Sequence, residues 1–497
     1  MFGPLPRLLA RLGVALGACA TYYYAASGLT LSHYDAKAHL VVSRRILDSI
    51  TPGWEQIGAV WLPLPHLLNM VPVQIDHFYR TGAFAIGLSV LFNGLATASI
   101  AGTVLALTAS RAGAVLAAAL YATNPNVLYL QSTPMTEPML FGLTACQVFI
   151  FTRWVLEPAP HGGAARRRLT MPAGAGWVTV AACLTRYEAW PITAACFGAA
   201  AYAQWRRGNR VVDVVRVHAR LAIYPLVTAL GFMVFSRITV GAWFVSGGFF
   251  VPDPTLLGQP WAVGAKIVEG VELVSGVWLL RCAVVSIIVV GLLGVVTAGR
   301  AAMLVPLALL ASVALPLSAY LSGHPFRMRY EIPLVLASAV AVGLGVGLLK
   351  RVAPVAAILV LAVVLNETRP FDRNAAMIRE AQLDQNVSAR GQVTACLKQR
   401  YQGGKIMASM GSLGHYMHEM SAAGFEISDF LHEGNGPIWD SAFTRGPAAL
   451  VEWVLVEEQA EGGDAVIQRH RQLPRLLQDY DQVCAGGNVT LYRRRAR

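Results

Sequence analysis

A lone carboxylate, Asp35, stands in the run His33-Tyr34-Asp35-Ala36-Lys37-Ala38-His39, directly after a long apolar stretch. A carboxylate at such a boundary is partly desolvated yet reachable from water, which suits a general base; the same position also suits the N-cap of a following helix. Glu137 offers a second acid. It opens another apolar stretch after Thr-Pro-Met-Thr, where a helix dipole would stabilise it or where it would orient an acceptor hydroxyl beside Asp35. Arg186 with Glu188, and His324, Arg327 and Arg329 ahead of Tyr330, also fall between apolar stretches. Guanidinium presents paired planar donors and stays charged, so these groups match the oxygens of a lipid phosphate. A single arginine would need no more than snorkelling to headgroups, but two within three residues beside a His and a Pro exceed that. Tyr34, His39, Trp61, His66 and Glu188 are candidates for the acceptor side.

The last part of the chain adds HEGNGPIW, His432 to Trp439. Gly-Asn-Gly-Pro is a strong turn signal; if this part caps the cavity, His432, Glu433 and Asn435 instead reach the acceptor. No Cys or His cluster has zinc spacing, and no residue pattern demands a metal, although an acid pair could hold a divalent cation through oxygen. A Walker loop, a GxGxxG after a strand and a GxSxG elbow are absent from the sequence, so nucleotide-driven chemistry has no support. No organic cofactor is expected.

The elements that must hold these groups lie in lipid. Of the 497 residues 55% are hydrophobic and only 14% charged, against about 25% in soluble domains, which excludes an ordinary cytosolic enzyme and a disordered chain. The formal charge is +12. Basic and acidic residues balance from Arg369 onward, so the whole excess belongs to the preceding part. There it recurs in every second gap between apolar stretches: Arg7 and Arg11, Arg111, Arg153 with Arg166 to Arg168, Arg206 to Arg220, Arg300, and Lys350 with Arg351. That is the positive-inside pattern rather than a nucleic-acid footprint.

Stretches of about 17 to 25 apolar residues can span a bilayer. About eleven are expected, at 8–31, 82–108, 112–130, 137–156, 173–186, 189–205, 221–246, 275–298, 301–321, 332–349 and 352–367, the pair around Arg186 being short enough to form one broken helix. The basic gaps put the N-terminus inside and the tail outside. The first stretch lacks a cleavage site and reads as a signal anchor. In the first outer loop, 32–80, Ala38, Val41, Val42, Ile46 and Leu47 recur at helical spacing opposite Lys37, Arg44, Arg45 and Asp48, which predicts an amphipathic helix lying on the bilayer surface. Trp54 and Trp61 would sit at headgroup level.

Residues 1–367 thus form a mainly α polytopic membrane domain and 368–497 a small outer α/β domain. In the latter, helices are expected over 374–401 and 465–480 and strands over 405–410, 450–456 and 489–492. Cys396 and Cys484, its only cysteines, could form a disulfide bracketing it if it lies outside the cytosol; the other five lie in apolar stretches and read as small core residues.

The order of these features resembles the GT-C glycosyltransferases: an outward Asp after the first span, a long amphipathic first outer loop, a Thr-Glu-Pro acid after the third span, and a late Arg329-Tyr330 with Pro333 ahead of a soluble tail. The nearest likeness is to bacterial members related to protein O-mannosyltransferases and the lipid A aminoarabinose transferase, over residues 1 to 367. The resemblance implies an inverting transfer of a sugar from a polyprenyl-phosphate donor to a lipid, glycan or protein hydroxyl. The reaction would occur on the outer face of the bacterial cytoplasmic membrane, with Asp35 as base, Arg327, Arg329 and His324 on the phosphate, and Lys37, Arg44 and Arg186 assisting. Many relatives carry two adjacent acids in the first outer loop, where Tyr34-Asp35-Ala36 offers one. A lipid-substrate transporter or flippase is the alternative from another class, and a non-catalytic scaffold a third, in which Asp35 is only a cap. An oligosaccharyltransferase is the alternative within the class, but the tail shows no Trp-Trp-Asp signature.

Overall fold

The computed structural model describes the chain except residues 1, 158–168, 246–249, 385, 461 and 496–497; the predicted basic cluster Arg166 to Arg168 lies outside the described residues. Helical turns occupy every one of the predicted apolar stretches. Among the described residues five helices are long and apolar enough to cross a bilayer, Ala83–Thr108, Glu137–Leu156, Val211–Val240, Val277–Val296 and Met328–Gly347, with a sixth if the 40° bent pair Ala298–Leu304 and Pro306–Leu321 is one span. Most of the other expected stretches are shorter or interrupted helices. Asn124-Pro125 divides Arg111–Ala122 from Pro125–Leu130, and the Arg186 segment divides Ala175–Cys183 from Ala189–Arg206. The first helix, α1 (Pro4–Ala26), is 23 residues long.

Glu137–Leu156 and Met328–Gly347 form the centre, 89% of each apolar window being buried, whereas Val211–Val240 is only 17% buried and carries its apolar side chains outward. Packing without a hydrophobic drive between helices calls for small residues at the contacts. Gly113 and Gly343 supply them: a Cβ on Gly113 would stand 2.5 Å from the Gly343 carbonyl oxygen, so Arg111–Ala122 and Ile332–Gly347 meet backbone to backbone.

The tail folds around a five-stranded sheet of order β2-β1-β3-β5-β4. Strand β1 (Ile406–Ala408) runs parallel to β2 (Phe430–Leu431) and β3 (Trp453–Glu457); β5 (Val489–Arg494) is antiparallel to β3 and to β4 (Tyr480–Gly486). The expected strands are present, and β4 is an addition taken partly from the predicted helix 465–480, which ends at Gln472. The expected helix 374–401 is two, Ala376–Ala381 and Val387–Arg400, broken where Asp384 turns back to pair with Arg390. A disulfide joins Cys396 to Cys484, tying the second of these helices to β4.

The amphipathic helix expected within 32–80 is present as α2 (Tyr34–Arg45), but protein covers it. Ten of its twelve residues are buried. The reason is the tail: Leu40 and Val41 share a core with Leu413, Tyr416, Met417 and Met420 of the helix Met410–Met420. Both faces of α2 are therefore covered. Trp54 is exposed, while Trp61 packs against His39.

Candidate functional site

The first turn of α2 decides what Asp35 can do. Its N-cap is His33, whose Nδ1 accepts the Asp35 backbone N–H at 3.1 Å. Capping by a neighbour releases the Asp35 side chain, and that carboxylate pairs with Nη1 of Arg329 across 294 positions of sequence. Both are buried. Arg329 sits on the tight turn Met328–Tyr330 ahead of the central helix Ile332–Gly347. Tyr320 holds that turn: its hydroxyl accepts the Arg327 N–H at 3.2 Å and lies 2.9 Å from Glu331 Oε1.

Arg186, in the break between two helices, gathers the other two acids. Its Nη1 lies 2.9 Å from Glu137 Oε1 and its Nη2 2.6 Å from Glu188 Oε1, and Nη1 also donates to Thr136 Oγ1 at 3.0 Å. Glu137 opens its helix as expected and is fully buried. The two ion-paired sets are neighbours. Tyr330 lies in the fields of Arg329, Arg186, Glu188 and Asp35, and Arg329 feels both Asp35 and Glu137. Arg327 stands 6.0 Å over the Tyr34 ring, and His324 Nε2 is 3.3 Å from the Tyr330 hydroxyl.

Several buried polar atoms here lack a hydrogen-bond partner: Arg329 Nε, Glu137 Oε2, Glu331 Oε2 and His39 Nε2. Buried polar groups are normally satisfied. Open donors and acceptors of this kind on Arg329, Glu137 and His39 are what a polar ligand with both kinds of group would satisfy.

Other expected residues lie elsewhere. Lys37 is bound 2.6 Å from Glu419 of the tail domain. Arg44 is held by Asp48 at 2.9 Å and Asp76 at 2.8 Å, over the Tyr79 ring. Neither donates to the Asp35 and Arg329 cluster; both lie on parts of α2 that the tail domain and the outer loop cover. His432, Glu433 and Asn435 form the turn that Gly-Asn-Gly-Pro announces: His432 caps it, Glu433 accepts the Met410 N–H at 2.6 Å, and Asn435 Nδ2 donates to Ser49 at 3.1 Å and Thr51 at 3.0 Å. Asn435 thus ties the tail to the segment 32–80, while His432 and Glu433 hold the turn to the tail itself. His39, Trp61 and His66 form a stack of their own, with His39 in reach of Arg329 and Arg186. Glu188 serves Arg186.

The tail supplies one group that sequence reasoning missed. Glu380, on the short helix after the last apolar stretch, lies 3.4 Å from His33 Nε2. Burial raises its carboxyl, but His33, Arg329 and Arg327 more than reverse this and hold it below the usual carboxylate range. Glu331 and Tyr320 were missed as well. For Glu331 a signal existed, a carboxylate inside an apolar run; for Glu380 none did. Among the described residues no three or more His, Cys, Asp or Glu side chains converge as a metal site.

No known family profile and no curated protein matches this chain. Among solved structures it is similar to ArnT from Cupriavidus metallidurans bound to undecaprenyl phosphate, with TM-score 0.55 and 12% identity over 97% of each chain. It is also similar to the Archaeoglobus fulgidus oligosaccharyltransferase in complex with Zn and sulfate, with TM-score 0.49 and 11% identity over 95% of this chain and 71% of that one. The first likeness shows a shared fold.

Proposed function

We propose that the chain is a membrane glycosyltransferase that moves a sugar, with inversion, from a polyprenyl-phosphate donor to an acceptor hydroxyl at the outer face of the bacterial cytoplasmic membrane. The carrying observation is the buried contact of Asp35 with Arg329, whose Nε is still an unpartnered donor. The shared fold with a protein described as bound to undecaprenyl phosphate supports a lipid phosphate as the ligand of that arginine. The acceptor is a lipid, a glycan or a protein.

The chemistry follows from the pairing. A carboxylate bound to guanidinium is a weak base. A phosphate arriving on the open Nε side draws on the same guanidinium charge and loosens Asp35, so the base is strengthened when the donor is in place. The acceptor oxygen then attacks the anomeric carbon, the carbon–oxygen bond to phosphate breaks with its electron pair going to phosphate, and the acceptor proton passes to Asp35. Arg329, with Arg327 and His324 beside it, stabilises the departing charge, which needs electrostatics more than acid catalysis. Arg186 has two carboxylates already and acts as the strut that keeps Glu137 and Glu188 in place.

Purified protein given a panel of undecaprenyl-phosphate sugars and a mixed acceptor extract should release undecaprenyl phosphate, and Asp35→Asn should abolish the release. If no donor is consumed while reconstituted protein moves labelled lipid across liposomes, transport replaces transfer as the function.

A further inference from the structure

The stacked trio His39, Trp61 and His66 takes no part in the steps above, yet its hydrogen bonds run in one direction only. His66 Nδ1 is 3.2 Å from the Leu62 carbonyl. A carbonyl only accepts, so this nitrogen carries the hydrogen and His66 Nε2 is a lone pair. His39 Nδ1 lies 3.1 Å from that lone pair and must be the donor to it. In neutral His39 the remaining nitrogen, Nε2, is therefore an acceptor with no choice of tautomer.

That acceptor is buried and unpartnered, on a residue only 4% exposed. Trp61 packs on both rings, with centroids 4.1 Å from His39 and 5.8 Å from His66, so the ring is pinned. His39 is one turn beyond Asp35 on α2, and positions i and i+4 share a helix face. The groups acting on it are His66, Arg329, Arg186 and His33; together with burial, the largest cause, they hold its imidazole well below the ordinary range. It is thus suited to receive a hydrogen bond and unsuited to carry a proton away.

We infer that His39 Nε2 is a fixed-tautomer acceptor for a ring hydroxyl of the sugar on the donor lipid, set by His66 and clamped by Trp61. Its distance from Asp35 along the helix, four residues or about 6 Å, is comparable with the width of a sugar ring whose phosphate is held at Arg329. This rests on the donor reading above: it names the part of the lipid-linked donor that His39 would recognise.

Binding measured by calorimetry on the full chain in detergent separates the two. Undecaprenyl phosphate serves as the bare probe and undecaprenyl-phosphoryl hexoses and pentoses as the sugar-bearing ones. Wild type should bind at least one sugar-bearing lipid more tightly than the bare phosphate. His39→Ala should weaken that lipid about tenfold, the effect of about 1.4 kcal/mol, and leave the bare phosphate unchanged. His66→Leu, which frees the tautomer, should weaken it in the same selective way, and His39→Gln, which returns an acceptor oxygen, should recover part of the loss. Should His39→Ala not fold, the His66→Leu and His39→Gln pair decides. Equal loss on both kinds of lipid, no loss, or a wild type indifferent to the sugar overturns the assignment of His39 while the donor reading stands. A wild type that ignores undecaprenyl phosphate and every sugar-bearing lipid overturns both.

Discussion

Replacing Asp35 by Asn should produce two effects of opposite sign, slower turnover and tighter binding of lipid phosphate. Arg329 is contacted by Asp35 through Nη1 and keeps Nε as an open buried donor. A phosphate docking on the Nε side would stand about 6 Å from the Asp35 carboxylate; at an effective dielectric of about 20 the repulsion is about 2 to 3 kcal/mol. Removing that charge while keeping the shape of the side chain should lower the Kd for undecaprenyl phosphate on the order of a hundredfold. Turnover should fall by about 10² to 10⁴, the usual loss for a general base. Arg329→Met should weaken both. The assay is calorimetric affinity for undecaprenyl phosphate alongside its release from a sugar-bearing donor. Thermal unfolding serves as the control, because leaving one partner of a buried pair alone costs about 3 to 5 kcal/mol. If Asp35→Asn weakens lipid-phosphate binding in parallel with Arg329→Met, the pair is a structural strut and the competition argument is wrong.

Arg186→Leu would leave Glu137 and Glu188, 0% and 1% exposed, without their shared cation, and should cost at least about 3 to 5 kcal/mol, seen as loss of monodisperse protein in detergent. Acid should loosen the docked tail domain. Burial pushes His415 and His418 down to about 4 and His66 to about 3, so these stay neutral when folded while the unfolded chain takes up protons below about 6.5. Stability is therefore full above pH 6.5 and declines as pH falls toward 4, by about 1.4 kcal/mol per histidine per unit. Hydrogen exchange over 410–420 at pH 7.5 and 5.5 should show the change, and equal protection at both would refute it. Replacing Cys396 and Cys484 together by Ser opens a loop spanning 88 positions and should cost the tail domain about 4 kcal/mol by chain entropy, read from thermal unfolding with and without reductant.

Much of the helical layout was legible because hydropathy reports directly on apolar burial. Residues Glu137 to Leu156 were readable as a helix to the residue, since Thr-Glu-Pro opens it and the apolar run ends at Arg153 and Glu157. The breaks were harder. Asn124-Pro125 lies inside an apolar run, and only the structure shows Asn124 capping a new helix and donating to the Val274 carbonyl. At the site, Asp35, Arg329, Glu137 and Arg186 were nameable one by one, because a charge beside an apolar stretch is rare and costly. Their pairing was not, since nothing local distinguishes Arg329 from Arg327 as the partner of Asp35. The partner of Lys37 was hidden for the same reason, since Glu419 is remote in sequence, whereas one of the two acids on Arg44, Asp48, lies only a helical turn away.

The burial of α2 explains why an interfacial pattern was misleading and why the tail domain bears on the chemistry. Apolar periodicity shows that one face seeks a nonpolar neighbour; it does not say whether that neighbour is lipid or protein. Here Leu40 and Val41 meet the tail domain, Lys37 is tied to Glu419, and Asp35 and His39 face Arg329 and Arg186. Glu380, just before the folded part of the tail, closes on His33, the residue that caps α2 and frees Asp35. A helix of twelve residues is too short to hold its shape alone in water. The position of Asp35 therefore depends on contacts made by the tail on one side and by the membrane helices on the other, and loosening the tail should displace the carboxylate without any change in the residues that touch it.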